Sequence, residues 1–138
     1  ADVARRLGDR LVAFRDDAGR ELLDLPDAPR PDPDTPAPPR FLPEFDNLLL
    51  SHVDRTRVLP ERHAPRILRG GMIDGSVLLD GFVAGRWRLA RKGKRTALRV
   101  ELFATVPKRE AASLEGEAAA LLAFAAPGEP SSLEIARG

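Results

Sequence analysis

At 138 residues, with 43% apolar and 31% charged side chains, the chain has the size and composition of one average domain, or of a small domain with a partial neighbour. It contains no cysteine, which excludes disulfides and thiol chemistry. No stretch approaches the roughly 20 apolar residues of a membrane span, so the expectation is a cytoplasmic protein without a membrane partner. The net charge of +1 hides a segregation: residues 55–99 carry 12 Lys or Arg against Glu61, Asp74 and Asp80, while the remainder holds 10 cations against 18 acids. Such a basic middle either faces an anionic polymer or docks on the protein's own acidic flanks.

In chain order, Asp2 is placed to cap a short helix that runs to Leu7 and stops at Gly8. RLVAFRD (10–16) and RELLDLP (20–26) then flank Asp17-Ala18-Gly19 as a hairpin. A helix followed by a hairpin is the second half of a winged helix, or else an N-terminal hairpin of the main domain. Residues 26–43 hold eight of the 13 prolines, the composition of a semi-rigid spacer or a strap across a surface. The expected division is therefore a partial winged helix over 1–26, a Pro-rich linker over 27–43 and an α+β domain over 44–138.

Asp46 reads as the N-cap of a helix over 47–52, with Leu48, Leu49 and Val53 on its apolar face and Phe41, Leu42 and Phe45 as anchors before it. Pro60 opens another short helix through Leu68, ended by Gly70-Gly71. From residue 75 the period becomes two. SVLL and FVAGRWRLA flank Asp80-Gly81, a type I′ turn signal, and a second hairpin crosses Lys92-Gly93-Lys94 into TALRVELFA. Val83, Trp87 and Leu89 line one face with Leu98, Val100 and Leu102. Arg86 and Arg88 line the other, opposite Ala97, Arg99 and Glu101. A two-residue loop at Lys92-Gly93 sets Arg86 against Arg99; a four-residue loop opposes Arg88 to Arg99 and brings Arg86 near Glu101. Either is unfavourable without an anion or acid between the arginines. Pro107 starts a long helix with Leu114, Ala118, Leu121, Leu122 and Ala125 on one face, and SLEIA (132–136) is a last strand. The fold class is α+β: a small antiparallel or barrel-like sheet with a covering C-terminal helix.

No catalytic motif is complete. Asp46, His52, Asp54 and His63 invite a metal-site reading, but Asp46 and His52 lie on different helix faces, so no metal and no cofactor is expected. Asp46, His52 and Asp54 read better as a structural polar tie. GGMIDG lacks the lysine and spacing of a P-loop. The most informative stretch is RWRLARKGKR (86–95). Its Arg86, Arg88, Lys92, Lys94 and Arg95, with Arg99, are candidate phosphate contacts, and Arg55 and Arg57 are secondary ones.

LPEFDNLLLSHVDR and VLLDGFVAGRWRL, taken with ELLDLPDAP and the proline run, resemble the C-terminal part of the winged-helix DNA-binding family that includes the AlkZ-type interstrand-crosslink DNA glycosylases. The resemblance covers nearly the whole chain. It implies tandem winged helices with a basic concave surface, then a C-terminal barrel-like domain. Double-stranded DNA, bound weakly and non-specifically, is the implied partner, together with the N-terminal winged-helix domains of a longer parent. The glycosylase members carry a Gln-x-Gln motif, whereas this chain has no glutamine. No catalytic residue therefore transfers, and cleavage of a glycosidic bond is not expected of this stretch alone; whether the parent is a DNA glycosylase stays open. The expectation is a DNA-binding module with a part in DNA repair, or alternatively a domain that braces winged helices without touching DNA.

Overall fold

The computed structural model describes residues 2–137, apart from the side chain of Asp2, so the cap expected there lies outside the described residues. The chain divides into two compact units, residues 1–35 and 36–138.

In the first unit, helix α1 (Asp2–Leu7) is followed by a 3-10 turn at Gly8–Arg10 and by strands β1 (Val12–Arg15) and β2 (Glu21–Asp24), paired antiparallel with Arg15 opposite Glu21. The Asp16 carboxylate shapes the hairpin loop by accepting from the backbone N–H groups of Ala18 and Arg20, at 3.0 and 2.8 Å, while Gly19 takes the positive φ the turn requires. Arg30 pins the start of the proline run to this hairpin. It donates to Asp24 and to the Leu25 and Pro26 carbonyls, and lies 4.9 Å over the Phe14 ring.

The second unit is α+β. The end of the proline run enters its sheet as edge strand β3 (Arg40–Leu42). Helix α2 (Asn47–Leu50) is one turn long, shorter than the expected 47–52. Asp46 caps it by accepting from Leu48 N at 2.8 Å, and the Arg55 guanidinium donates to the Leu49 carbonyl beyond its last turn. Because the helix stops there, only Leu49 is fully buried; Val53 is wholly exposed and Phe45 is 42% exposed, against the expectation for both. A 3-10 turn (Glu61–His63) leads into α3 (Ala64–Ile67). Gly70-Gly71, expected only to stop that helix, form the turn of a small hairpin, β4 (Leu68–Arg69) with β5 (Met72–Ile73), both glycines at positive φ.

Strands β6 (Ser76–Leu79), β7 (Phe82–Lys92) and β8 (Arg95–Leu102) form a meander, helix α4 (Lys108–Ala125) crosses it, and β9 (Ser131–Arg137) completes an open sheet of order β3-β6-β7-β8-β9. This corrects the antiparallel or barrel-like expectation. The helical crossover returns the chain in the same direction, so β9 pairs parallel to β8, and among the described residues the sheet does not close. Asp80 (φ 49°) and Gly81 (φ 79°) build the expected I′ turn. The β6–β7 register slips between Val77 and Leu78, which moves Val83 off the face it was expected to share with Trp87. Val83 packs with Leu49, Leu59, Ile67, Ile73, Leu78 and Phe103 in one cluster. Val77, Leu79, Leu98, Val100 and Leu102 meet Leu114, Ala118 and Leu122 of α4 in another. Each fully buried leucine contributes about 1.5–3 kcal/mol, so α4 is held by its i, i+4, i+8 stripe.

Candidate nucleic-acid interface

The site is the sheet face turned away from α4, together with the tip of the β7–β8 hairpin. Lys92 pairs with Arg95 around a two-residue turn whose first residue, Gly93, has φ 60°, as a type II′ turn requires. This fixes the second of the two registers, with the turn over Gly93-Lys94 instead of a four-residue loop: Arg88 lies opposite Arg99, and Arg86 opposite Glu101. With β9 alongside, the open face becomes a set of cross-strand rows: Arg86–Glu101–Ala136, Arg88–Arg99–Glu134 and Ala90–Ala97–Ser132, then Lys92–Arg95 at the tip. Two clefts of about 670 and 560 Å³ run along this face and share Arg99 and Glu134.

The rows differ in how their charge is used. Glu101 accepts from Arg66 Nη2 at 2.5 Å, and from Arg86 Nε and Nη2 at 2.8 and 2.7 Å. Arg86 also faces Asp74 Oδ2 at 3.5 Å, and Asp74 accepts from Arg69. The hydrogen bonds from Arg66 and then Arg86 hold the Glu101 carboxyl below its ordinary range, against an opposing effect of burial. Arg66 further lies 4.1 Å over the Phe103 ring, which also meets the His63 ring at 5.0 Å. Burial, then the charges of Arg62 and Arg66, push the His63 imidazole down, which favours its neutral form. This ladder is a fixed structural element, and Arg86 belongs to it.

Arg99 is held differently. It donates from Nε to Glu134 at 2.8 Å, with the two side chains 48% and 52% exposed. Such an exposed pair is worth about 0–1 kcal/mol. Arg88, Lys92, Lys94 and Arg95 are all exposed, and their side chains form no hydrogen bond or ion pair among the described residues. Arg91, which the sequence sets beside the tip, instead donates to the Ala125 carbonyl at 2.8 Å and closes the C-terminus of α4.

The remaining candidates lie apart from this face. Arg55 is spent on the Leu49 carbonyl, and Arg57 is exposed. Asp46 caps α2, and Asp54 accepts from the Thr56 N–H and hydroxyl at 3.0 and 2.6 Å. His52 stands exposed. Among the described residues no three His, Cys, Asp or Glu converge on a metal site. Trp87 is a packing residue: its Nε1 donates to the Leu42 carbonyl at 2.8 Å and its ring meets Phe41 edge-on at 5.7 Å. Sequence reasoning missed Arg66, Arg69 and Asp74 as members of the ladder. The available signal was that Asp74 is one of only three acids in the basic middle.

Comparison with known proteins places these elements in a family. A search of curated proteins finds no match. Among solved structures, the chain is similar to the Streptomyces sahachiroi DNA glycosylase AlkZ at 26% sequence identity and a TM-score of 0.72, over 96% of this chain. It spans only 35% of that protein's length. The family model for DNA glycosylase AlkZ-like proteins matches residues 1–124, so the chain belongs to the AlkZ-like DNA glycosylase family.

Proposed function

We propose that this chain is a DNA-binding module, the C-terminal part of a winged-helix DNA-binding protein acting in DNA repair, and that it meets the phosphate backbone with the β7–β8 hairpin. The carrying observation is the hairpin tip. Lys92, Lys94 and Arg95 converge there, exposed and without an acidic partner among the described residues. Three uncompensated cations on a narrow β-ribbon are suited to a polyanion and contribute nothing to the core. Two further observations support the reading. The similar solved protein is a DNA glycosylase by name. In the first unit, α1 and the β1–β2 hairpin leave Val3, Phe14, Leu22, Leu23 and Leu25 exposed, as a recognition helix and wing do when considered without their companion helices. The proline run over 27–43 follows that element in the chain, and its end enters the sheet as β3.

The test is fluorescence anisotropy of the chain with a short labelled duplex across a salt series. Affinity is expected to fall linearly on a log–log plot. Neutralising Lys92, Lys94 and Arg95 together should make the slope shallower by about 0.9 for each phosphate that is no longer neutralised. Unchanged binding in that variant would refute the tip assignment.

A second reading has its own observation. Arg66, Arg69, Arg86 and Arg99 are all engaged by acids of the same chain, as expected of a domain that braces winged helices and touches no DNA. Absence of binding at low salt would select it.

A further inference from the structure

The row next to the alanine-floored step carries a contradiction that the tip does not. Arg88 and Arg99 are directly opposed across β7 and β8, roughly 5 Å apart at Cα, which is the arrangement that like charges avoid. One acid, Glu134, sits in the same row and neutralises only Arg99. The row therefore keeps one uncompensated positive charge on an open face. In the adjacent row Ala90, Ala97 and Ser132 present two methyl groups and a hydroxyl, leaving a shallow trough between Arg88–Arg99 on one side and Lys92–Arg95 on the other. The two basic rows are four residues apart along the strand, about 13 Å at the usual rise. The trough is continuous with the cleft lined by Arg69, Arg86 and Glu101.

We propose that Arg88 and Arg99 form a seat for one phosphodiester group of a DNA backbone that runs from the hairpin tip past Ser132 in the next row and across the open sheet face, and that Glu134 is the counter-ion this phosphate displaces. The proposal rests on the DNA-binding reading above and deepens it by giving the backbone a path. The ladder supplies the contrast. Arg86 is shared between Glu101 and Asp74 and is about one-third exposed, so it stays bound, whereas the Arg99–Glu134 pair is single, half exposed and exchangeable. Two guanidinium groups on adjacent strands each carry the paired N–H donors that suit a phosphodiester oxygen pair. Among the described residues, no second acid completes the row.

The test uses the 138-residue chain and a labelled duplex, with three variants: Arg88→Ala, Glu134→Gln and the tip neutralisation. The Arg88 side chain has no bond to lose among the described residues, and the fluorescence of Trp87 reports whether each variant is folded. Arg88→Ala is expected to make the log–log salt slope shallower by about 0.9, and Glu134→Gln to make it steeper by up to the same amount with tighter binding, because Arg99 is freed for phosphate. A gain of affinity on removing an acid from an ion pair is not what a bracing role would give. If the tip variant weakens binding while Arg88→Ala and Glu134→Gln match the parent, the seat is overturned and the DNA-binding module stands. If the parent chain fails to bind at low salt, both are overturned.

Discussion

Glu101 is the residue on which the polar end of the sheet turns, because it holds two arginines from different elements. Its carboxyl is kept below its ordinary value of 4.5, so its contribution to stability is fully present above that value and is lost as pH falls through the lower, folded-state value. Glu101→Gln is expected to cost about 1 kcal/mol at pH 7 and to flatten the acid limb of the stability curve below about pH 4.5. Urea unfolding followed at several pH values checks both; an unchanged acid limb would show that Glu101 is not the group responsible. Gly85 is a second single-residue constraint. A Cβ there would sit 2.7 Å from the Glu101 carbonyl oxygen, a backbone atom that cannot swing aside. Gly85→Ala should therefore destabilise by about 1–3 kcal/mol and disturb the β7–β8 register, measured as a lowered urea midpoint. This accounts physically for the glycine of the Gly-x-Trp-Arg stretch by which the ribbon is recognised.

At the scale of elements, what was legible in the sequence was whatever a local pattern encodes. Asp80-Gly81 specified its turn, the i, i+4, i+8 leucine and alanine stripe specified α4, and Pro107 marked the start of that helix. Alternation separated Trp87 from Arg86 and Arg88, but it failed at Val83, because a bulge breaks the two-residue period and leaves no distinctive residue type behind. The direction of β9 was not legible either. SLEIA reads as a strand whichever way it runs, and only the placement of α4 makes the pairing with β8 parallel. For the candidate site, the hairpin and its cations were readable from spacing. The division of those cations was not, because it depends on Asp74, Glu134 and the Ala125 carbonyl, which come from distant parts of the chain. Arg88, Lys92, Lys94 and Arg95 are unpaired among the described residues, and no composition count distinguishes them from Arg86 and Arg99.

At the scale of the whole molecule, every large hydrophobic side chain that is fully buried belongs to residues 36–138 among the described residues. That stretch alone is therefore expected to unfold in one cooperative transition, reported by Trp87, the single tryptophan, which packs inside it. A broad, non-cooperative transition would show that the core needs residues 1–35. The parallel β8–β9 pairing also dictates an order of assembly. The β7–β8 hairpin is local and closes quickly, whereas Arg99 and Glu134 are 35 residues apart and must wait for α4 to form and dock. During that interval Arg88 and Arg99 face each other with no acid between them, so the nascent hairpin repels itself. Refolding should accordingly be accelerated by added salt, which screens the early repulsion, even though the same salt weakens the finished ion pairs.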